Sequence, residues 1–390
     1  MDFRRIGSLP PYAFAEVNRR KARARHAGVD VIDLGFGNPD IPSPETAVQT
    51  LIDAAGDPAN HRYSVSRGID DLRQALSGRY RRRFGVDLDP ETEVISTIGS
   101  KEGLSHLMWV LLQPGDAAIV PDPSYPIHIY APVIAGAEVR TAPIDSEADY
   151  FEVVHRMFHD SWPRPRVIIV SFPHNPTAHT VDLGFFERLV GFARENEVVV
   201  VHDFAYADIA FDGYRPPSIL EVPGANEVAV EIYSLTKGHS MAGWRVGFVV
   251  GNQAVVAALA KLKSYLDYGT FQPIQLAASA ALDKGDSFVE QTSETYRERR
   301  DALVDGLADL GWKMDLPRAT MFVWAPLPDG WRGADSLQFS IDLLDKAGVA
   351  VSPGAGFGAG GEGHVRFALV EDVSRIEEAV RRIGDALSDL

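Results

Sequence analysis

Between residues 94 and 250 the chain repeats one pattern: a short apolar run, a stretch with helical spacing, then another apolar run. The runs are Val94-Ile-Ser-Thr-Ile98, Ala117-Ala-Ile-Val-Pro121, Val167-Ile-Ile-Val-Ser-Phe172, Val198-Val-Val-Val201, Val228-Ala-Val-Glu-Ile-Tyr233 and Val246-Gly-Phe-Val-Val250. Strands buried on both faces read as near-continuous Val and Ile. Between them, stretches such as Lys101 to Leu112 and Phe185 to Arg194 carry apolar residues at helical spacing and suit crossovers. This order predicts an α/β architecture with a largely parallel sheet covered by helices. From Gln291 to Leu310 the pattern becomes a long charged helix. A strand-like Met321-Phe-Val-Trp324, a helix over Ser336 to Ala347 and a strand at His364-Val-Arg-Phe-Ala368 follow. These predict a second, smaller α+β domain. The first forty residues are basic, then rich in Gly and Pro, and read as an arm and crossing loop.

A chain of 390 residues, 45% hydrophobic and 24% charged, has enough material for more than one core. Its formal charge of -16 leaves no basic field for a polyanion, which argues against nucleic acid or an anionic membrane as partner. With no cysteine, disulfides, thiolate catalysis and cysteine metal sites are excluded. Eleven histidines are present, none in a metal-binding spacing such as His-Glu-x-x-His. Met1-Asp-Phe-Arg-Arg-Ile lacks the apolar stretch of a signal peptide, and no run approaches a membrane span, so a cytoplasmic location is expected.

The residue that most constrains the chemistry is Lys237, in Ser234-Leu-Thr-Lys237-Gly-His-Ser-Met-Ala-Gly-Trp-Arg245. A lysine at the end of an apolar strand can form a Schiff base with an aldehyde cofactor if its amine is held neutral part of the time. Ser234 and Arg245 flank it and can hold a phosphate, the arginine by a forked contact. Gly99-Ser-Lys-Glu-Gly103 follows a strand and opens a helix, so its amides and the Ser100 hydroxyl face whatever sits on the helix N-terminus; a phosphate fits, and so does a purely structural turn. Tyr125, in Pro121-Asp-Pro-Ser-Tyr-Pro126, lies at the carboxyl edge of the sheet and can stack on a flat ring or simply pack.

Asn175, in His174-Asn-Pro-Thr177, is held extended by Pro176, and its amide can donate to a ring oxygen or a carboxylate; the pair also suits a plain turn. Asp203 ends the most hydrophobic strand, in Val201-His-Asp-Phe-Ala-Tyr206. A charge there is costly unless paired. It can hold a proton on a pyridine nitrogen, or cap the segment that follows. Tyr206 is three residues on. Arg366, in Gly363-His-Val-Arg-Phe-Ala368, suits a bidentate grip on a carboxylate, or an ion pair with Glu371. His174, His202 and His239 adjoin these motifs and read as supporting residues.

Taken together and in this order, the motifs resemble the class I/II aminotransferases, pyridoxal-phosphate enzymes of fold type I, over about Gly35 to Arg366. The resemblance implies a seven-stranded, mainly parallel sheet in a large cofactor domain at 45–285, a small C-terminal domain at 286–390, and an arm and crossing segment at 1–44. It implies that Lys237 forms the Schiff base, that Asp203 pairs with the pyridine nitrogen, and that Tyr206 and Asn175 contact the ring hydroxyl. Ser100, the Lys101 amide, Ser234 and Arg245 would hold phosphate, Tyr125 would stack on the ring, and Arg366, with Asn175 and Gly37, would bind substrate. Tyr63, in His61-Arg-Tyr-Ser-Val-Ser-Arg-Gly68, matches the tyrosine that the family carries from a partner subunit to the phosphate, which implies a homodimer with a shared site.

Within the family the chain looks like the bacterial glutamate-pyruvate (alanine) transaminase branch, near the LL-diaminopimelate aminotransferases. Pro123-Ser-Tyr-Pro-Ile-His-Ile-Tyr130, Lys263-Ser-Tyr-Leu-Asp-Tyr-Gly-Thr-Phe271 and Val351-Ser-Pro-Gly-Ala-Gly-Phe-Gly358 also carry this likeness. The expected substrates are an L-amino acid of alanine or glutamate type and a 2-oxo acid. Two departures stand out. That branch has a hydroxyl residue after the lysine where this chain has Gly238-His239, and Ser264 to Gln272 lacks the arginine of dicarboxylate-specific relatives. Other reactions on the same scaffold, an LL-diaminopimelate aminotransferase or a lyase among them, are the alternatives. A DNA-binding regulator has no room before Gly35, and a dinucleotide enzyme lacks its glycine fingerprint.

Overall fold

The computed structural model describes residues 7, 9, 14–144, 147–331 and 335–388. Met1 to Ile6 and several further residues of the expected arm lie outside the described residues. The chain opens with α1 (Ala15–His26), β1 (Ile32–Asp33), α2 (Glu45–Ala55), α3 (Asp70–Phe84), β2 (Val94–Thr97) and α4 (Ser100–Leu111). It continues through β3 (Ala117–Asp122), α5 (Pro126–Ala135), β4 (Glu138–Pro143), α6 (Glu147–His159), β5 (Pro165–Val170), α7 (Leu183–Asn196), β6 (Val199–Asp203), β7 (Ala229–Ser234) and β8 (Gly247–Gly251). After α8 (Gln253–Leu266), α9 (Gln272–Lys284) and α10 (Asp286–Asp309) come β9 (Phe322–Pro326), α11 (Ser336–Ala347), β10 (Val349–Ala350), β11 (Ser352–Pro353), β12 (His364–Ala368) and α12 (Val373–Ser388).

The six apolar runs become β2, β3, β5, β6, β7 and β8 of a seven-stranded sheet in the order β2-β8-β7-β6-β5-β3-β4. The seventh strand, β4, was not legible as an apolar run. It lies at the edge, parallel to β3, and reads Glu-Val-Arg-Thr-Ala-Pro, with only Ala142 fully buried. Charges and a proline on an edge strand deter pairing with further strands and also erase the apolar signature. The central strands β7 and β8 are buried along their whole length.

The sheet is parallel except at β8, which runs antiparallel to both β2 and β7. This reversal positions the site. The carboxyl ends of β2, β3, β5, β6 and β7 meet at one edge, and the start of β8 meets them there. Gly247 is opposite both Thr97 and Ser234. Residues just before β8 therefore face those that follow β2 and β7.

Three hydrophobic clusters pack helices onto this sheet. A fourth core belongs to the antiparallel sheet β11-β12-β9 and helices α10 to α12. It also takes in Ile32 and Leu34 from the start of the chain, where β1 pairs with β10, and Tyr206, Ile209 and Phe211 from the segment after β6. The smaller lobe is thus wedged against the carboxyl edge of the large sheet. Among the described residues no helix is long and apolar enough to cross a membrane.

Candidate active site

The wedge leaves a cavity of ≈ 310 Å³ at the carboxyl edge. Lys237 lies on the turn after β7, partly buried, and its Nζ donates to the Gly37 carbonyl at 2.7 Å. Burial, and then the charges of Arg366 and Arg245, push its ammonium down to about 7. The Tyr206 ring lies 6.0 Å from Nζ, and burial holds its hydroxyl well above the usual phenol range.

On one side of Lys237 is a cup. β2 ends at Gly99, whose φ of +80° turns the chain into α4, so the amide-rich start of that helix points into the cavity with Ser100 and Lys101. Arg245 reaches the same place from the start of β8, in a left-handed conformation of its own. A Cβ at Gly99 would meet Arg245 Nη2 at 2.2 Å, and one at Gly247 would meet the Ser100 amide nitrogen at 2.6 Å. The glycines keep open a cradle of helix amides, a hydroxyl and a guanidinium, which is a donor set for a phosphate.

Asp203, at the end of β6, lies on the floor of the cavity. One of its oxygens, Oδ2, is 2.9 Å from His128 Nε2, and the other ring nitrogen of His128 is 2.9 Å from Ser124 Oγ. Its Oδ1 also accepts from the Ala205 amide at 3.3 Å, so the capping role coexists with the pairing role. His128 did not stand out in the sequence. The available signal was the four-residue step from Ser124 to His128 at the start of α5, which puts a hydroxyl and an imidazole on one face beside β6. Tyr125, between them in sequence, lines the cavity with its ring 5.9 Å from that of His128. A carboxylate held from behind by a histidine, beside an aromatic ring, suits a flat ring with a basic nitrogen. The residues present therefore fit pyridoxal phosphate at both its charged ends.

Opposite the cup is Arg366 on β12. It is buried, with its guanidinium carbon 3.9 Å from the Phe322 ring centroid and 4.6 Å from that of Phe357. Nη1 donates to Asn175 Oδ1 at 2.6 Å, and Nη2 to the Gly35 carbonyl at 3.2 Å. Asn175 in turn donates to the Tyr206 hydroxyl at 3.3 Å. A Cβ at Gly37 would fall 2.6 Å from Phe322, so that position must be glycine for the crossing loop to pass. The two phenylalanine faces flank and orient the guanidinium, a group whose planar fork suits a carboxylate.

Ten expected residues, Gly37, Ser100, Lys101, Tyr125, Asn175, Asp203, Tyr206, Lys237, Arg245 and Arg366, thus line one cavity. Two do not. Ser234 is buried at the end of β7, where its hydroxyl lies 2.8 Å from that of Thr236 and accepts the Thr236 amide; Thr236 takes its place on the wall. Tyr63 is 85% exposed and packs on Tyr268, ring centroids 4.8 Å apart.

The departure at Gly238-His239 has a local cause. A Cβ at Gly238 would lie 2.4 Å from Asp208 Cβ. Asp208 cannot yield easily, because Arg79 Nη2 donates to it at 2.7 Å and Tyr233 bonds it as well. Burial alone would raise its carboxyl, but Arg79 and Arg83 hold it well below the usual range. His239 is wholly buried nearby, and burial followed by the charge of Arg79 pushes it down to about 4. His202 is structural: its Nδ1 lies 2.8 Å from Glu231 and its Nε2 is 3.0 Å from the Phe172 carbonyl.

A sequence model of the aminotransferase class I and II family matches residues 29–383, and the chain belongs to that family. It is a transaminase. It is 51% identical over 381 residues to the glutamate-pyruvate aminotransferase AlaC of Escherichia coli K12, covering 98% of this chain and 92% of that protein. It is 44% identical over 387 residues to an LL-diaminopimelate aminotransferase of Desulforudis audaxviator, covering 99% and 98% of the two chains. Substrate-bound BacF of Bacillus subtilis superimposes with a TM-score of 0.93 at 35% identity, over 99% and 97% of the chains.

Proposed function

We propose that the protein uses pyridoxal phosphate to move an amino group between an L-amino acid of alanine or glutamate type and pyruvate or 2-oxoglutarate. The observation that carries this reading is Lys237, its amine near neutrality, set between a phosphate cradle and a buried arginine. In this reading residues 45–285 hold the cofactor, and the lobe of 286–390, joined by the crossing segment, brings Arg366. When bound, the cofactor supplies an aldehyde for amines and a ring that withdraws electrons from the substrate α-carbon.

The chain's own residues do the rest. Arg366 and Asn175 hold the substrate carboxylate and thereby fix which bond at Cα faces Lys237. Lys237 Nζ would take the proton from Cα as general base. Asp203, steadied by His128, would hold a proton on the ring nitrogen, and Tyr125 would lie against the ring. Ser100, the Lys101 amide and Arg245 would hold the phosphate as a fixed anchor. We also infer a homodimer. Tyr63, Val65, Tyr265, Tyr268 and Phe271 are exposed, and the Tyr63 and Tyr268 rings pack together; a second copy covering them would bring its Tyr63 toward the cup.

An LL-diaminopimelate donor is the second reading, supported by relatives of that name at 41–45% identity. The test is a screen of amino donors against pyruvate and 2-oxoglutarate, following both the oxo-acid product and the absorbance of the bound cofactor. Alanine or glutamate is expected to lead. Lys237→Ala is expected to lose multiple turnover altogether, and sustained transamination by a clean preparation of that variant would refute the reading.

A further inference from the structure

Lys263, on α8, is a fully buried lysine that the reaction does not use. Its Nζ donates to Glu102 Oε1 and to Asp267 Oδ2, both at 2.9 Å. The ligand atoms of Glu102, His106 and Asp267 lie within 4.8 Å of one another, an arrangement that could take a metal ion, but the lysine ammonium already stands among them. The two carboxylates lead to different parts of the molecule.

Glu102 leads to the cup. It sits in the first turn of α4, and its other oxygen, Oε2, accepts the Ile98 amide at 3.0 Å. It therefore spans Gly99, Ser100 and Lys101, gripping the backbone before them while standing on the helix after them. Its orientation is held from outside by Lys263. Asp267 leads to the exposed aromatic face. Its Oδ1 accepts the Gly269 amide at 2.7 Å, and its carbonyl accepts the Ser66 hydroxyl at 2.7 Å. Gly269, at φ +78°, packs so closely that a Cβ would meet the Val65 carbonyl at 2.7 Å. These contacts bring the loop bearing Tyr268 against the loop bearing Tyr63, and the two rings touch.

One ammonium thus fixes both the walls of the cup and the loops on which the expected partner would sit. A buried charge with two carboxylate partners has no low-cost alternative arrangement, because moving it strands at least one charge away from water. We propose that Lys263 is a positioning residue that couples the phosphate cup to the docking face of a second copy of the chain, so that cofactor affinity and self-association rise and fall together. This rests on the functional reading above, since both the cofactor and the dimer come from it.

The test uses wild-type protein, Lys263→Met and a control, Arg300→Met. The control also removes a buried cation, one that pairs with Asp212 and the Pro317 carbonyl in the smaller lobe. For each, cofactor dissociation is measured from the absorbance of the bound group, self-association by sedimentation over a dilution series, and thermal unfolding alongside. Lys263→Met is expected to weaken both cofactor binding and self-association by about tenfold, a magnitude ordinary for coupled sites. Arg300→Met, with a similar fall in melting temperature, is expected to leave both within about twofold. Should Lys263→Met not fold, Asp267→Asn cuts the same link while keeping an oxygen for the Gly269 amide, and is expected to move both readouts the same way. Equal effects of Lys263→Met and Arg300→Met, or a loss of cofactor affinity with self-association untouched, would overturn the coupling. Wild-type protein that takes up no pyridoxal phosphate would overturn the functional reading and the coupling with it.

Discussion

A lysine with its ordinary pKa offers about one neutral amine in 2,500 at pH 7, too few for rapid condensation with an aldehyde. The cavity around Lys237 changes that by removing water from the ammonium and by setting Arg366 and Arg245 near it. With the amine at about 7, the rate at which cofactor-free protein captures pyridoxal phosphate should rise between pH 6 and 8 and level off above. The sign for stability is the same. Between about 7 and 10.5 the unfolded chain holds a proton on this lysine that the folded chain lacks, so the cofactor-free fold gains stability as pH rises through that window. Below it the full penalty of a buried charge is present. Rapid-mixing absorbance across pH checks the first statement, and a capture rate flat from pH 6 to 8 would contradict it. At this scale the sequence was informative where a residue type is costly without a role. Asp203 at the end of a Val-rich strand and Lys237 after another announce themselves by their expense. His128, Phe322 and Phe357 do not, because a histidine in a helix and phenylalanines in apolar segments need no explanation until α5 sets the one beside Asp203, and β9 and the turn after β11 set the others beside Arg366.

The elements were legible to the degree that burial shows in one dimension. β5, β6 and β7 are buried on both faces and appear as plain apolar runs, and α11 and β12 begin and end at the residues expected of them. β4 faces water along one edge and was invisible. Strand direction leaves no mark on composition, so nothing in Val246-Gly-Phe-Val-Val250 tells that β8 runs against its neighbours. Yet that reversal brings Arg245 to Gly99. The join of β2 to α4 is accordingly where a single methyl group should matter most. Gly99→Ala would force a side chain into positive φ and into the Arg245 guanidinium at once. Its cost should be about 1–3 kcal/mol, as for other residues in sparsely populated backbone regions, and should fall mainly on cofactor affinity because Arg245 must move out of the cup. Titration of the cofactor against Gly99→Ala, with wild-type affinity as the contrary outcome, decides it.

For the molecule as a whole, charge and exposed apolar surface pull in opposite directions. Each chain carries a formal charge of -16, so two copies repel. Each also leaves Tyr265 84% and Tyr268 61% exposed, and Tyr268 packs on the exposed Tyr63. These aromatics cluster where α8 ends and where the Tyr63 loop crosses it, and both loops are anchored to the cup through Lys263. The smaller lobe's core draws on Ile32, Leu34, Tyr206, Ile209 and Phe211, which are distant in sequence from the rest of it, so its full extent was not readable from local pattern. Nor was a surface that a second copy would cover, since Lys263 to Phe271 reads alone as an amphipathic helix end and a turn. If the second copy covers this face, Tyr268→Glu adds one more negative charge at a contact already burdened by repulsion, and the protein should sediment as a monomer at concentrations where wild type is a dimer. Added salt should tighten the wild-type dimer by screening that repulsion, with most of the effect between low ionic strength and about 0.15 M, where the screening length falls to about 8 Å. Because the partner's tyrosine would complete the cup, specific activity should decline on dilution in step with dissociation. A Tyr268→Glu protein that remains dimeric, together with specific activity constant across dilution, would mean that this face serves something other than self-association and that each chain completes its own site.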